Sequence, residues 1–296
     1  MSDGQTANRT LSPLEPLVER IESTALLDKP ATLVSRAARA ALSPGWLKDA
    51  VSGTWLGHAL HPALTDVVIG SFLGAAVVDL LVREEGSVAG ERLIMVGLAA
   101  YGPTAFAGAS DWIDGEHDDR VKRVGIVHAS GNLTALGLYT ASLIARRQGA
   151  WRRASLLSAC GASVLMVGGY LGGHLSLRRG IGPDQTVFDP GPSEWAPAAD
   201  AAQLPDGRPT RVVVDETPVL LLKDGERIYA IHDRCSHRGC SLSEGQVEGI
   251  EIVCACHFSR FDLRDGSVKR GPATAPQPAF QVRQRAGIVD VRALSD

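Results

Sequence analysis

Four long apolar runs in succession constrain this chain more than any other feature of it. The segments at about Pro62–Val82, Leu93–Trp112, Val124–Ala145 and Ala154–Leu175 each approach the roughly 20 mostly apolar residues that cross a bilayer as a helix. Charge bounds each of them: Arg83, Glu84 and Glu85; Asp114 to Arg123; Arg146 and Arg147; Arg178 and Arg179. The short connections make sequential helices antiparallel neighbours. Small residues at four-residue spacing (Gly70 and Gly74, Gly168 and Gly172, Gly169 and Gly173) let helices approach closely. A soluble bundle with unusually apolar helices is the alternative, and four consecutive runs argue against it.

Ahead of these runs, residues 1–60 open on the polar stretch MSDGQTANRT, with no apolar core of the length a cleavable signal peptide needs. Leu14, Leu17, Val18 and Ile21 recur at helical spacing. They fit an amphipathic helix on the membrane surface or a helix packed on its own protein. A net charge of −3 gives no overall basic surface for nucleic acid.

The segment GTWLGHALHPALTDVVIG, residues 53–70, with its HxxHP element of His58, His61 and Pro62, resembles the opening of a bacterial family of four-span membrane domains without assigned chemistry. The resemblance covers roughly residues 45–176 and supports the span count. An even number of spans puts both termini on one side. The short loop 146–153 holds four arginines, which favours the cytoplasm for that loop. Arg120, Lys122 and Arg123 lie on the other side, partly offset by Asp114, Glu116, Asp118 and Asp119. The run Trp151-Arg152-Arg153-Ala154-Ser155-Leu156-Leu157 resembles a twin-arginine export signal, the route a folded domain carrying an assembled cofactor would need. The C-terminal domain is therefore expected outside the cytoplasm of a multi-pass cell-membrane protein. Antiparallel packing also gathers His58, His61, His128 and His174 at the end from which that domain departs. His61, His128 and His174 are candidate ligands of a haem b; the alternative is interfacial histidines bonded to headgroups, backbone carbonyls or Asp66.

Beyond the spans the pattern changes. Residues 177–205 carry Pro183, Pro190, Pro192, Pro197 and Pro205 and read as a linker. From 206 to 296 the apolar period is two, with short strands at Val212–Val214, Val219–Leu222, Ile228–Ile231, Ile250–Val253, Phe280–Val282 and Ile288–Val291. Turn signals separate several of them (Asp224-Gly225, Asp265-Gly266, Ala286-Gly287). The expected architecture is multi-domain: an all-α four-helix transmembrane bundle over 61–176, then a small all-β domain.

Four of the five cysteines fall between 235 and 256, whereas Cys160 stands alone in an apolar run. Such clustering indicates a metal or redox site. Cys235-Ser236-His237 and Cys254-Ala255-Cys256-His257 each offer one cysteine and one histidine from a short loop. Two such loops facing each other supply two thiolates to one iron and two imidazoles to another. A zinc site of two Cys and two His is a rival, although structural zinc usually starts from a CxxC knuckle. A catalytic cysteine would need one activated thiol and a base, which leaves two matched pairs unexplained.

CSHRGCSLSEG at 235–245 and CACHFSRFD at 254–262 resemble the two cluster-binding loops of Rieske proteins, and GPA at 271–273 resembles the proline loop that shields their cluster. The resemblance covers about residues 200–294. It implies a [2Fe-2S] cluster with Cys235 and Cys254 on one iron and His237 and His257 on the outer iron. It also implies a disulfide between Cys240 and Cys256, as in Rieske proteins of cytochrome bc complexes; ferredoxins and oxygenases of the family usually lack these cysteines. An oxidising compartment fits that pair, and two free thiols in a cytosolic domain is the alternative. Ser259 occupies the place of the serine that bonds a bridging sulfide. Phe261 replaces a tyrosine that donates to a cysteine sulfur in high-potential relatives, so a lower potential is expected. Phe258 stands where the family usually has glycine, and is expected to alter the backbone approach to the cluster.

The function these features imply is membrane-anchored single-electron transfer, with a redox partner protein and with quinol as a donor by family analogy. The chain would be an electron-transfer component rather than a stand-alone catalyst, since no triad of two His and one carboxylate accompanies the cluster. Two alternatives stand: an electron-donor component of a membrane oxygenase or desaturase, and a redox-sensing iron-sulfur protein.

Overall fold

Each of the four apolar runs is a helix in the computed structural model, which describes residues 14–115 and 117–294. Three shorter helices come first: α1 (Glu15–Ser23), α2 (Asp28–Ala41) and α3 (Trp46–Ser52). The long ones are α4 (Leu60–Leu81), α5 (Ser87–Ile113), α6 (Asp119–Arg147) and α7 (Trp151–Gly173), the last widening into a π turn over His174–Arg178. Packing is tightest between α4 and α5 and between α6 and α7.

The exterior of this bundle is as apolar as its interior. Phe72, Ile94 and Leu165 are buried together with Ser71, Thr104, Ser142 and Ser158, while Val77, Leu80, Leu81, Met95, Leu133, Leu156, Met166 and Val167 face outwards. An apolar exterior suits a lipid surround, where close packing rather than the hydrophobic effect holds helices together. Phe72 of α4 stacks on Tyr139 of α6 at 4.0 Å between ring centroids, and the Tyr139 hydroxyl donates to the Phe72 carbonyl at 3.0 Å. A buried Arg146–Asp79 ion pair ties α6 to α4 towards the other end.

Two expectations change in detail. Three helical stretches, Leu60–Leu81, Arg83–Ile113 and Trp151–Arg178, are both long and apolar enough to cross a membrane. Helix α6 has the length but is too polar, because it carries His128, Ser130, Asn132, Thr134, Thr140 and Ser142. Ser130, Thr134 and Thr140 lie on its exposed side and are satisfied locally, Ser130 donating to Ile126 O at 2.7 Å and Thr140 to Leu136 O at 2.8 Å. Of the glycine pairs, Gly168 and Gly172 do serve as a close-approach face, under Asn132 and His128 of α6. Gly70, Gly169 and Gly173 have open space where a side chain would be.

Helix α1 turns Val18 and Ile21 inwards, where they pack with Val121 and Val124 of α6. Arg123 clamps the same segment, its Nε 2.7 Å from Asp28 Oδ1. Of residues 14–21, Val18 and Ile21 pack on the protein, while Leu14 and Leu17 stay on the outer face. Residues 1–13 lie outside the described residues.

The C-terminal part is built from three small antiparallel sheets. Strands β1 (Ala196–Asp200), β9 (Phe280–Arg285) and β10 (Ile288–Ala293) form one, in the order β1-β10-β9. A second joins β2 (Pro209–Val214), β3 (Thr217–Asp224) and β4 (Arg227–His232). The third runs in order through β5 (Gln246–Glu248), β6 (Glu251–Val253), β7 (Arg260–Asp262) and β8 (Val268–Arg270). The expected linker 177–205 is thus cut short, since β1 lies inside it and pairs with β10 from Ala196 opposite Val291 to Asp200 opposite Ile288. Its partner is nearly a hundred residues away in sequence, so local composition carries no trace of it. The rest of the linker is also tied down: Gln185 N–H donates to Ser236 O at 2.9 Å, and Ala293 N–H to Pro192 O at 2.7 Å.

Candidate metal centre

Two loops of this domain converge on one spot. The first leaves β4 and folds back at once: Gly239 N–H donates to Cys235 O, and Cys235 N–H to Cys240 O, both at 2.8 Å. Gly239 takes φ +77° there, a left-handed conformation that glycine adopts without steric cost. The second loop leaves β6. Cys254 N–H donates to Ser259 O at 2.9 Å and Phe258 N–H to Cys254 O at 3.0 Å. Phe258 has φ +65°, which explains why glycine is usual at this place: the turn needs the left-handed region. The non-glycine side chain there carries a cost of roughly 1–2 kcal/mol.

Further contacts lock the loops together. A disulfide joins Cys240 to Cys256, with Cα atoms 6.5 Å apart, the pairing expected from the resemblance. Gln277, buried in the third loop, accepts from Ser236 N–H at 3.0 Å through Oε1 and donates to His232 O at 2.7 Å through Nε2. Ser259 Oγ accepts from Ala273 N–H at 3.0 Å, which leaves its hydroxyl proton available to a further acceptor.

The four candidate ligands sort into two ends. Cys235 and Cys254 are both buried, at 1% exposure, with their thiols in hydrogen-bonding contact and backbone N–H groups of both loops turned towards them. The neighbouring Cys254 and burial push the Cys235 thiol up, while the hydrogen bond from Cys235 pulls Cys254 down to about 6. At the other end the His237 and His257 rings meet edge to face, with centroids 5.0 Å apart. Burial depresses both rings, His257 to about 4 with His237 as the next cause, so both are neutral imidazoles at pH 7, the form that ligates metal. His237 Nδ1 and His257 Nε2 are buried without a protein partner. Buried polar atoms normally have one, so these two orphans fit a metal-bound group. Among the described residues no three His, Cys, Asp or Glu side chains are grouped as a single-ion site would need. Two sulfurs at one end and two nitrogens at the other fit a two-iron cluster better than one zinc ion.

The imidazole end faces the helical half. His237 Nε2 lies 3.4 Å from Asp114 Oδ2, just past the end of α5, and Asp114 is paired with Lys48 of α3 at 2.7 Å. Burial alone would raise the Asp114 carboxyl, but the His237 ring and the Lys48 ammonium outweigh it and hold it at about 2. The His117 ring lies 6.1 Å from that of His257. Arg238 donates to Gly180 O at 2.5 Å and Thr54 to Ala273 O at 3.3 Å. Gly271 sits so close to Thr54 and Asp49 that a Cβ there would collide with them. Sequence reasoning missed Lys48, His117 and Gln277, and took Asp114 only as a boundary charge; no spacing pattern links them to the cysteine loops.

The candidate haem ligands have other partners. His61 Nδ1 is 3.0 Å from Thr104 O on α5, and His128 Nδ1 is 2.8 Å from Gly168 O on α7. His128 Nε2 is 3.0 Å from the Asn132 amide, and His174 Nε2 is 2.8 Å from Glu22 Oε1. Backbone carbonyls are the partners the alternative reading named for His61 and His128, while His174 meets Glu22 rather than Asp66.

A small β domain with two Cys-His loops, a bridging disulfide and a proline loop defines a class, that of iron-sulfur electron-transfer domains. Residues 194–281 match the Rieske [2Fe-2S] domain, and residues 57–185 match a family described as predicted membrane protein (DUF2231). The anthranilate 1,2-dioxygenase ferredoxin subunit of Burkholderia cepacia is 32% identical over 99 residues, which are 33% of this chain and 92% of the relative. The 3-phenylpropionate/cinnamic acid dioxygenase ferredoxin subunit of Escherichia coli (strain K12) is 38% identical over 92 residues, 30% of this chain and 85% of that one. Among solved structures, the ferredoxin of carbazole 1,9a-dioxygenase from Nocardioides aromaticivorans IC177 is 33% identical, covering 34% of this chain and 98% of its own, with a TM-score of 0.33. The chain belongs to the Rieske [2Fe-2S] family through its C-terminal domain, whose cofactor is a [2Fe-2S] cluster and whose role is electron transfer. Its helical half matches a family of predicted membrane proteins and holds three helical stretches long and apolar enough to cross a membrane.

Proposed function

We propose that this protein is a membrane-anchored one-electron carrier, its cluster held by Cys235 and Cys254 on one iron and by His237 and His257 on the other. The observation that carries the reading is the sorting of two buried thiols and two neutral, orphaned imidazoles to opposite ends of one site. Bound there, the cluster supplies a one-electron couple. Two neutral imidazoles in place of thiolates set Rieske centres at roughly −150 to +300 mV, against roughly −400 mV for plant-type ferredoxins. The protein's own part is to hold four ligands in register through Gln277 and the disulfide, to aim backbone N–H groups at the sulfurs, and to keep water out with Phe261, Leu242 and Ile252, all fully buried.

In this reading the domain lies outside the cytoplasm, supported by the disulfide and by the arginines of loop 146–153, and a membrane quinol is the electron donor. The donor is proposed on family analogy. A second reading, delivery of electrons to an oxygenase partner, is favoured by the relatives, which are ferredoxin subunits of dioxygenases. Reduced full-length protein should give a Rieske electron paramagnetic resonance spectrum that His237→Ala and His257→Ala each abolish. Purified protein holding stoichiometric zinc and no iron would sink the proposal. Reduction by a quinol analogue, compared with reduction of an added oxygenase component, separates the two readings.

A further inference from the structure

We propose that Asp114, on the membrane half, sets the reduction potential of the cluster by acting on His237, with Lys48 fixing its charge and position. The proposal rests on the reading of His237 as a ligand of the outer iron. In that reading the ring is used at both nitrogens: Nδ1 is buried without a protein partner, and Nε2 lies 3.4 Å from Asp114 Oδ2. Asp114 is therefore a positioning and tuning residue, contributed by a different domain from the one that holds the iron.

The carboxylate is not a surface charge that happens to be near. Its side chain and that of Lys48 are each 6% exposed, and they pair at 2.7 Å. The three protons of the Lys48 ammonium have three acceptors: Asp114 Oδ2, Ser110 O at 2.8 Å and Ser110 Oγ at 2.9 Å. Ser52 Oγ completes the network at 3.1 Å from Ser110 Oγ. Every member belongs to α3 or α5 or, for Asp114, to the residue after α5, so the pair is fixed in the helical half whether or not the β domain rests on it. Burying such a pair costs desolvation that only good geometry repays. Here it presents one carboxylate oxygen to the ring that this reading places on iron.

The consequence follows from elementary electrostatics. A buried negative charge beside the Nε2–H of a ligating imidazole makes that ligand more electron-rich and opposes the arrival of an electron, so it favours the oxidised cluster. Lys48 acts in the opposite sense and partly cancels the carboxylate. Weak screening in a buried site makes both effects larger than at the surface. The contacts of Arg238 with Gly180, of Thr54 with Ala273 and of Gly271 with Asp49 hold the head where the interaction operates.

The test is a redox titration of the full-length holoprotein in detergent at one fixed pH, followed by the Rieske paramagnetic signal. Asp114→Asn should raise the midpoint and Lys48→Gln should lower it, while Asp114→Glu, which keeps the charge, should stay closer to the parent than Asp114→Asn. Opposite signs are the signature, because a variant that merely released the head from the helices would move both midpoints the same way. Equal signs, or no shift with the signal intact, would overturn the role of Asp114. A parent protein with no Rieske signal would instead overturn the assignment of His237 and the function with it.

Discussion

Removing the disulfide should loosen the cluster by an amount that its loop length dictates. Cys240 and Cys256 are 16 residues apart, and closing a loop of that size removes chain entropy worth about 3 kcal/mol at 25 °C. Cluster loss requires the two loops to part. If they part as freely as an unfolded chain once untied, the opening equilibrium shifts by about 3 kcal/mol, a little over two decades at 1.4 kcal/mol per tenfold change. The perturbation is Cys240→Ser with Cys256→Ser, which leaves every candidate ligand in place. The assay is iron release to a chelator from oxidised full-length protein, followed by the decay of the cluster's visible absorption. Release about a hundredfold faster is expected. Other ties compete with the disulfide: Gln277 spans the first loop, and Ser259 joins the second loop to Ala273. Release within about threefold of the parent rate would mean that these carry the closure and that the entropic argument fails here.

Three other outcomes can be checked directly. Phe261→Tyr should raise the potential: Phe261 packs in the same buried cluster as Cys235 and Cys254, so a hydroxyl there is expected to donate to a cysteine sulfur, and one bond of about 1 kcal/mol, gained mainly in the reduced state, is about 40 mV for a one-electron couple. An unchanged voltammetric midpoint with the cluster intact would refute it. Arg146→Met should destabilise the helical bundle by about 3–5 kcal/mol, since Asp79 is left buried without its partner, and thermal melting in detergent should show Asp79→Leu with Arg146→Met recovering most of the loss. Asp262, buried at 1% exposure, has its carboxyl held well below the usual range, first by its hydrogen bond with Arg264 and then by Arg264 N–H and Lys269. Its stabilisation is therefore present above the unfolded carboxyl value of about 3.9 and is lost as pH falls below that value towards the folded one. Asp262→Asn should flatten the acid limb of a pH-unfolding curve, and an identical acid limb would refute the linkage.

What was legible in the sequence follows the range of the interactions. Apolar runs and ligand spacing are local, so the helices, six apolar strand cores and the four candidate ligands stand out on reading. Strands β5, β7 and β8 have three residues each and few apolar ones, whereas the equally short β6 shows through the apolar run of Ile250, Ile252 and Val253. Strand β1 is held by β10 rather than by its own residues, and Pro197 within it reads as linker. Helix α6 shows the reverse failure: its apolar run is real, but polar residues interrupt it, several of them on its exposed side. The disulfide and the roles of Ser259 and Phe261 came from resemblance to a family, and geometry alone would not have singled them out. Lys48, Asp114 and Gln277 were invisible because each acts across a domain or loop boundary, where sequence distance carries no information about contact.

The tip of the β domain, where the two cysteine loops lie, rests on the helical half. It meets α3, the turn after α5 and the segment around Gly180. The disulfide and Phe258 lie on the loops at that tip, and the glycine of the proline loop is close-packed against Thr54 and Asp49. A domain whose partners are all external has to leave both imidazole edges open to them. In this chain one edge is taken by Asp114 and the other lies beside His117. The helical half is therefore more than a tether: it is the first surface the cluster end of the head touches, and any outside partner must work with that contact or displace it.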